Sequence, residues 1–479
     1  MKQGPNKSTR SVDEWLAWLE TLHPSWMELG LERVGQVAQR LALTHFSCPV
    51  ITVTGTNGKG STVALLESIY RAAGYRVGTY SSPHLVRFNE RIRVAGQDVD
   101  DATLCQSFAH IEAARHDISL TYFEFTTLAA LDIFQRAHLD VLILEVGLGG
   151  RLDATNLIDA DVAVITTIAL DHQAWLGDNR DSIGYEKAGI MRAGRPVVCG
   201  DPEPPQSVLQ KAAELEAPLY ILDLTYSSGS NETHFSGSPL PCNSFSFSHS
   251  NSCGRGLGRG LDQISMSKQA LSPSPSPASE RGKQELWSFQ SPLQTYIDLP
   301  IPRIELQNAA TALMTLQLLE QRLPVSLAAV TLGLQQVFVA GRFQCIAGEQ
   351  HLTVLDVAHN PAGGAWLAHR LQQESTSTRV IAVWAMLADK DLAATVRPLV
   401  PWVTTWFTGE LNGVARAADS PTLGAALLSA GAKHYQTFSD FAHAYQAALS
   451  YVQQGDTLLV FGSFHTVAYV LQHLNSGGG

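Results

Sequence analysis

Thr54-Gly55-Thr56-Asn57-Gly58-Lys59-Gly60-Ser61 gathers the groups that hold a phosphate. Glycines let backbone N–H groups turn inward, Lys59 is a mobile cation, and Ser61 at a helix start can reach a magnesium ion. The segment departs from the standard G-x-x-x-x-G-K-[ST] loop, because Val53 stands five before Gly58 and Gly60 separates the lysine from the serine. Glu145 ends the apolar run 140–146 and precedes Gly147-Leu-Gly-Gly-Arg-Leu-Asp-Ala-Thr-Asn156. A lone glutamate there is a solvated strand end, but below a phosphate cradle and beside a loop that admits a ligand it is a magnesium candidate. Leu170-Asp171-His172 closes a third run, and Glu186-Lys187 follows on a helix. By themselves His172 reads as a capping or packing residue and Lys187 as half of a surface salt bridge. Later come Gly341-Arg342-Phe343, Asp356-Val-Ala-His359-Asn360-Pro361, Asp389-Lys390-Asp391 and Gly462-Ser-Phe-His465. Polar residues at four strand ends or turns point to a second sheet edge that faces the first.

The elements that must carry these groups follow from hydrophobic period. Strands are expected at 49–54, 75–82, 140–146, 161–169 and 195–200, with helices at 61–73, 124–137 and 182–193. Ser11 and Glu14 have capping-box spacing ahead of Trp15, Leu16 and Leu19, so order is expected from residue 11 and residues 1–10 read as loose. After Pro302 the alternation resumes, with a helix at 305–320, strands at 352–358, 379–386, 403–409 and 456–463, and helices at 361 onward and from about 465. Strand and helix in turn, with β-branched strands, mean α/β architecture with mostly parallel sheets. Two units are expected, 11–300 and 303–479. Residues 226–292, rich in Ser, Gly, Pro and Asn, read as a flexible insertion with a strand-like tail near 286–299.

The whole chain has 479 residues and a net charge of −11. An acidic surface argues against a nucleic-acid backbone binder and against adhesion to anionic membrane. The cysteines at 48, 105, 199, 242, 253 and 345 form neither a C-x-x-C pair nor a zinc pattern, which fits a reducing compartment. No apolar stretch reaches membrane-spanning length, so a cytoplasmic protein is expected.

TGTNGKGS (54–61), SSPHLVRFNER (81–91), LTYFEFTTLAA (120–130), LEVGLGGRLDATN (144–156), ALDH (169–172), EKAGI (186–190), AGRFQ (340–344), DVAHNP (356–361) and GSFHT (462–466) resemble the folylpolyglutamate synthase family. The likeness is closest to its bacterial bifunctional members, which act as dihydrofolate synthase and tetrahydrofolylpolyglutamate synthase, within the Mur ligase-like amide ligases. It implies a P-loop-type N-terminal sheet domain, like the Mur ligase central domain, that binds ATP and pterin. A Rossmann-like C-terminal α/β domain would complete the ATP and glutamate site. It implies addition of L-glutamate to dihydropteroate, or to the γ-carboxylate of tetrahydrofolate, through an acyl phosphate made from ATP. By resemblance Asn57, Gly58, Lys59, Gly60 and Ser61 would hold the phosphates, and Asn308, Arg342 and Asp356 would reach ATP across the cleft, Arg342 to the phosphates and Asp356 to the nucleoside. Ser61, Ser82, Glu145 and His172 match magnesium positions, with two ion sites, and Lys187 matches a lysine carried as a carbamate. His359 matches a residue near the transferring phosphate, so Lys59, Lys187, His172, Arg342 and His359 form the catalytic set. Thr121, Phe123 and Asp153 match the pterin positions. The likeness also implies a monomer whose partners are small molecules. Ala340, Ala385 and Gln173 depart from the family's usual Pro, Gly and Thr.

A Mur-type peptidoglycan ligase shares the loop and the acyl-phosphate route but usually needs a further N-terminal UDP-binding domain. The roughly 48 residues before the first strand are too few for one. A P-loop switch ATPase needs a standard G-K-[ST] loop and leaves the second unit's polar strand ends unexplained.

Overall fold

The computed structural model describes residues 10–25, 28–222, 243–250, 286–374, 379–414 and 416–476. The first sheet is built from β1 (Val50–Thr54), β2 (Val77–Tyr80), β3 (Ile92–Val94), β4 (Gln97–Asp98), β5 (Val141–Glu145), β6 (Val162–Ile165), β7 (Val197–Cys199), β8 (Leu219–Leu222), β9 (Asn243–Ser250), β10 (Leu286–Gln290) and β11 (Thr295–Pro300). Its spatial order is β11-β10-β9-β8-β7-β6-β1-β5-β2-β3-β4. The centre, from β2 to β9, is parallel, and the antiparallel pairs lie at the two edges. Strands β1, β5 and β6 are buried at every position, so only continuous apolar runs can fill them, which is the pattern of 49–54 and 140–146.

One face of this sheet is covered by helices Val12–Leu19, Glu32–Arg40, Asp101–Arg115 and Tyr122–Arg136. The first carries the expected reciprocal bonds of Ser11 and Glu14. The opposite face is covered by helix Lys59–Ala72 together with Leu306–Leu318 and Leu327–Gln336. Every residue from Asn308 to Gln317 is buried, so that helix cannot lie on the surface of a separate unit. Helix Leu327–Gln336 touches Lys59–Ala72 so closely that a Cβ on Gly333 would stand 2.6 Å from the Ile69 Cα. The sequence boundary at 303 is therefore corrected: the chain stays with the first sheet through about Val337.

The flexible segment expected at 226–292 is corrected where strand β9 falls inside it. Strands β10 and β11 lie at the strand-like tail expected near 286–299, and β10 buries Trp287 and Phe289 completely, with Trp287 Nε1 donating to Pro300 O at 2.9 Å. Alternating Trp and Phe within a polar context were enough for a strand that borrows its apolar face from the neighbouring core. Residues 1–9, 223–242 and 251–285 lie outside the described residues.

The second sheet has β12 (Gln344–Ala347), β13 (Leu352–Asp356), β14 (Val380–Trp384), β15 (Thr405–Gly409), β16 (Tyr435–Phe438) and β17 (Thr457–Phe461), in the order β12-β13-β17-β14-β15-β16. All pairs except β12–β13 are parallel, and a helical layer covers each face. This is the Rossmann-like α/β pattern. No helix among the described residues is long and apolar enough to cross a membrane. Cys48, Cys105, Cys199 and Cys345 are free thiols.

Candidate active site

The carboxyl ends of both sheets open on one cavity of about 990 Å³, where α/β folds bind ligands. Residues 54–60, Ser82, Phe123, Glu145, His172 and Lys187 line it from the first unit, and Arg342, His359 and Lys390 from the second. A smaller cavity of about 220 Å³ adjoins it, lined by Asn57, Gly58, Ser61, Glu305, Asn308, Arg342, Asp356 and His359 among others. The sequence-derived site residues therefore converge, but on two chambers.

The phosphate loop is a strand-to-helix turn whose glycine at the cap, Gly58, has φ +85°. A Cβ there would stand 2.2 Å from Asn308 Oδ1, so the glycine serves both the left-handed turn and the approach of Asn308. The end of β6 holds the loop from beside it. Thr166 Oγ1 donates to Asn57 O at 2.6 Å, and Asn57 N donates to Thr167 Oγ1 at 3.1 Å. Lys59 donates to the carbonyls of Gly55 and Thr56 at 3.0 and 3.4 Å. Burial lowers its pKa, with Glu145 and Asp171 opposing.

Glu145 is buried and its carboxyl is pushed up to about 7 by desolvation, against the Lys59 charge and the Ser82 N–H that donates to Oε2 at 3.3 Å. Its oxygens keep acceptor capacity, and Ser82 and His172 line the same chamber. This set of carboxylate, hydroxyl and imidazole suits a divalent cation. Among the described residues no group of three His, Cys, Asp or Glu side chains is arranged to hold a metal ion, so an ion here would draw further oxygens from phosphate and water. Ser61 is buried and lines the smaller chamber, unlike the other three expected metal residues.

His172 caps a short helix with φ +51°, and its N–H donates to Asp171 Oδ1 at 2.8 Å. Burial lowers its pKa to about 4, so the ring is neutral and competent as a ligand near pH 7. Asp171 accepts from Lys390 Nζ at 2.5 Å and has His359 Nε2 at 3.8 Å, both from the second unit. Burial pushes Asp171 up, but the neighbouring His359 ring and the bonded, charged Lys390 outweigh it and hold the group well below the usual carboxylate range. The Val357 carbonyl, 2.8 Å from His359 Nδ1, fixes the proton on that nitrogen and turns Nε2 toward Asp171.

Lys187 overturns the surface reading. It is buried, and Glu186 pairs with Arg151 at 2.9 Å instead. The Lys187 amine has no hydrogen bond or ion pair among the described residues, and desolvation, reinforced by Lys59, lowers its pKa to about 7.

At the far end, Thr121 caps helix Tyr122–Arg136 reciprocally with Glu124. The Phe123 ring rests against Gly147, where a Cβ would stand 2.6 Å from its Cζ. Asp153 accepts from Leu148 N at 2.9 Å and from Thr155 N and Oγ1 at 3.0 and 2.7 Å, which shapes the 147–155 loop. Asp356 likewise spends both oxygens on backbone, from Phe343 N at 2.8 Å and Ala358 N at 2.7 Å. It thus pins the turn that presents Arg342, whose guanidinium lies 5.8 Å from the Phe464 ring centroid. Sequence reasoning gave no role to Asn360, Asp171, Lys390 or Glu305. The first three lay inside quoted motifs, but their partners are far away along the chain.

Residues 53–203 match the model of the Mur ligase middle domain, and residues 341–464 that of the Mur ligase glutamate ligase domain. A dihydrofolate synthase/folylpolyglutamate synthase of Escherichia coli is 42% identical over 97% of this chain and 96% of its own. The chain belongs to the dihydrofolate synthase/folylpolyglutamate synthase family. A structure of E. coli FolC in complex with DHPP and ADP superposes with a TM-score of 0.83 at 40% identity, covering 99% of this chain and 100% of that one. A bifunctional folylpolyglutamate synthase/dihydrofolate synthase with Mn, AMPPNP and L-glutamate bound superposes at 0.80 with 43% identity and the same coverage. The Mur ligase α/β architecture implied by the motifs of this dihydrofolate synthase/folylpolyglutamate synthase family member is thereby established, and family structures carry an adenine nucleotide and a divalent metal.

Proposed function

We propose that the protein is an ATP-dependent amide ligase that joins L-glutamate to dihydropteroate and to the γ-carboxylate of tetrahydrofolates. The observation that carries this reading is that the phosphate loop, the Glu145 carboxylate and Phe123 share one cavity with Arg342 and His359 of the other unit. A carboxylate is a poor acyl donor at neutral pH, so oxygen attack on the γ-phosphorus of ATP, with ADP leaving, installs a better leaving group. The glutamate amine then attacks the acyl carbon, loses a proton and expels phosphate.

In this reading Lys59 and the loop amides hold the phosphates, and Arg342 neutralises charge from the opposite side. Asp356 and Asn308 shape the nucleotide chamber, while Phe123 offers a ring face to the pterin and Thr121 and Asp153 order the loops around it. Ser82, Glu145, His172 and Ser61 would hold magnesium at two sites, which supplies electrostatic stabilisation of the transferring phosphoryl group. His359 stands on the far wall, where its ring, turned toward Asp171, borders the cavity that would take the phosphate. The unpaired Lys187 amine fits conversion to a carbamate: its nitrogen adds to the carbon of CO₂ and releases a proton, so that a cation becomes an oxygen donor. The protein acts as a cytoplasmic monomer on small molecules.

The test is to incubate purified protein with ATP, Mg²⁺, L-glutamate and either dihydropteroate or tetrahydrofolate. One glutamate added by mass per ADP released supports the reading. ATP consumption without an added glutamate on either acceptor overturns it.

A further inference from the structure

Glu305 precedes helix Leu306–Leu318 and lines the smaller chamber. Its backbone carbonyl accepts from Asn308 N and Ala309 N, but its side chain does not cap the helix, and its carboxylate has no hydrogen bond or ion pair among the described residues. Every other carboxylate used at the site is occupied: Asp153 and Asp356 by backbone N–H groups, Asp171 by Lys390, and Glu145 by Ser82 N beside Lys59. The residue is half-buried and its carboxylate opens on the chamber, so a ligand that entered there would strip water from it and would have to bring donors of its own. Burial raises the Glu305 pKa while Arg342 and Arg370 counter it, as expected of a group waiting for donors.

Position along the helix says which part of a ligand it meets. Asn308, one helical turn on, has its side-chain oxygen against Gly58 of the phosphate loop. Glu305 is thus set back from the phosphates by roughly one turn, about 5 Å. In a nucleoside triphosphate laid along the chamber, that is the distance of the sugar, and Trp366 and Arg303, which line the same chamber, are left for the base. A carboxylate with two acceptor oxygens complements a pair of vicinal hydroxyls. We propose that Glu305 is a specificity residue that accepts hydrogen bonds from the ribose hydroxyls of the nucleotide.

The inference rests on the ATP-dependent reading above, and the experiment separates the two. KM and kcat are measured for ATP, 2′-deoxy-ATP, 3′-deoxy-ATP and purine riboside triphosphate, which lacks the 6-amino group, in the wild-type protein, Glu305→Gln and Glu305→Ala. Wild-type turnover with ATP establishes the reading; its absence overturns that reading, and Glu305 with it. With turnover present, the deoxy nucleotides should show KM values at least about 10-fold above ATP in the wild type. In Glu305→Ala the ATP KM should rise to the deoxy value, with the deoxy KM values nearly unchanged, kcat within about twofold and the glutamate KM unaltered. Unchanged sugar discrimination in both variants overturns the Glu305 assignment alone, as does a penalty that tracks the missing 6-amino group. Glu305→Gln keeps the shape and, with a melting temperature near that of the wild type, supplies the same comparison should the alanine variant not fold.

Discussion

The side-chain amides of Asn57 and Asn360 bond to each other in both directions, Asn360 Nδ2 to Asn57 Oδ1 at 2.9 Å and Asn57 Nδ2 to Asn360 Oδ1 at 3.4 Å. One belongs to the phosphate loop, and the other starts the helix Pro361–Glu374, where its Oδ1 also accepts from Gly363 N at 2.9 Å. The pair therefore fixes the loop of the first unit to the second sheet. Together with Asp171–Lys390 it sets how far apart the two walls of the cavity stand.

Asn360→Ala should leave the Asn57 amide half-satisfied and loosen that link. We expect a stability loss of about 1 kcal/mol, read by urea unfolding, and a fall of about 10-fold in kcat/KM for ATP from misplacement across the cleft. A variant with wild-type kcat/KM would show that the link does not position the walls.

Gly147→Ala places a methyl group 2.6 Å from Phe123 Cζ. The ring has to turn away, so the KM for dihydropteroate should rise about 10-fold or more while the KM for ATP stays put. Steady-state kinetics with each substrate varied in turn checks this, and equal effects on both would remove Phe123 from the pterin wall.

Arg342 and Asp356 should separate as actor and holder. Arg342→Ala is expected to lower kcat by on the order of 10²-fold or more with little change in unfolding free energy. Asp356→Asn removes one charge-assisted acceptor from a turn in which Phe343 has φ +42°, so it should cost about 1–3 kcal/mol of stability as well as raising the ATP KM. Full stability in Asp356→Asn would assign that residue to the ligand instead of the turn.

Lys187 gives a pH signature in metal-free, CO₂-free buffer. Its folded pKa of about 7 lies below the ordinary 10.5, so between those values the unfolded chain binds more protons and stability rises with pH. Below pH 7 the amine is protonated in both states and the full penalty of burying the charge applies. Chemical unfolding across pH 7 to 10 should show the rise in the wild type and a flatter profile in Lys187→Met. In activity assays Lys187→Ala should lose at least about 100-fold, and a small carboxylic acid should restore part of the rate. Full activity without the acid would eliminate the carbamate.

Much of the site was legible in the chain because its chemistry is local. The phosphate loop is eight consecutive residues whose glycines, lysine and serine serve one turn, and Glu145 ends an apolar run that had to be a buried parallel strand. Period and composition likewise gave most strands of both sheets, since strands buried on both faces leave an unbroken apolar signature. Long-range placement left no such trace. Helix Leu306–Leu318 could have belonged to either unit, and only packing against Lys59–Ala72 assigned it to the first. Lys187 reads as a surface lysine beside a glutamate until the fold gives that glutamate to Arg151 and closes over the amine. Glu305 was silent because its meaning is the absence of a partner, which requires every neighbour in space. Local spacing fixes backbone turns and amphipathic faces, whereas burial, pairing and desolvation sum over residues hundreds apart, and those sums decide which charged groups remain free for a ligand.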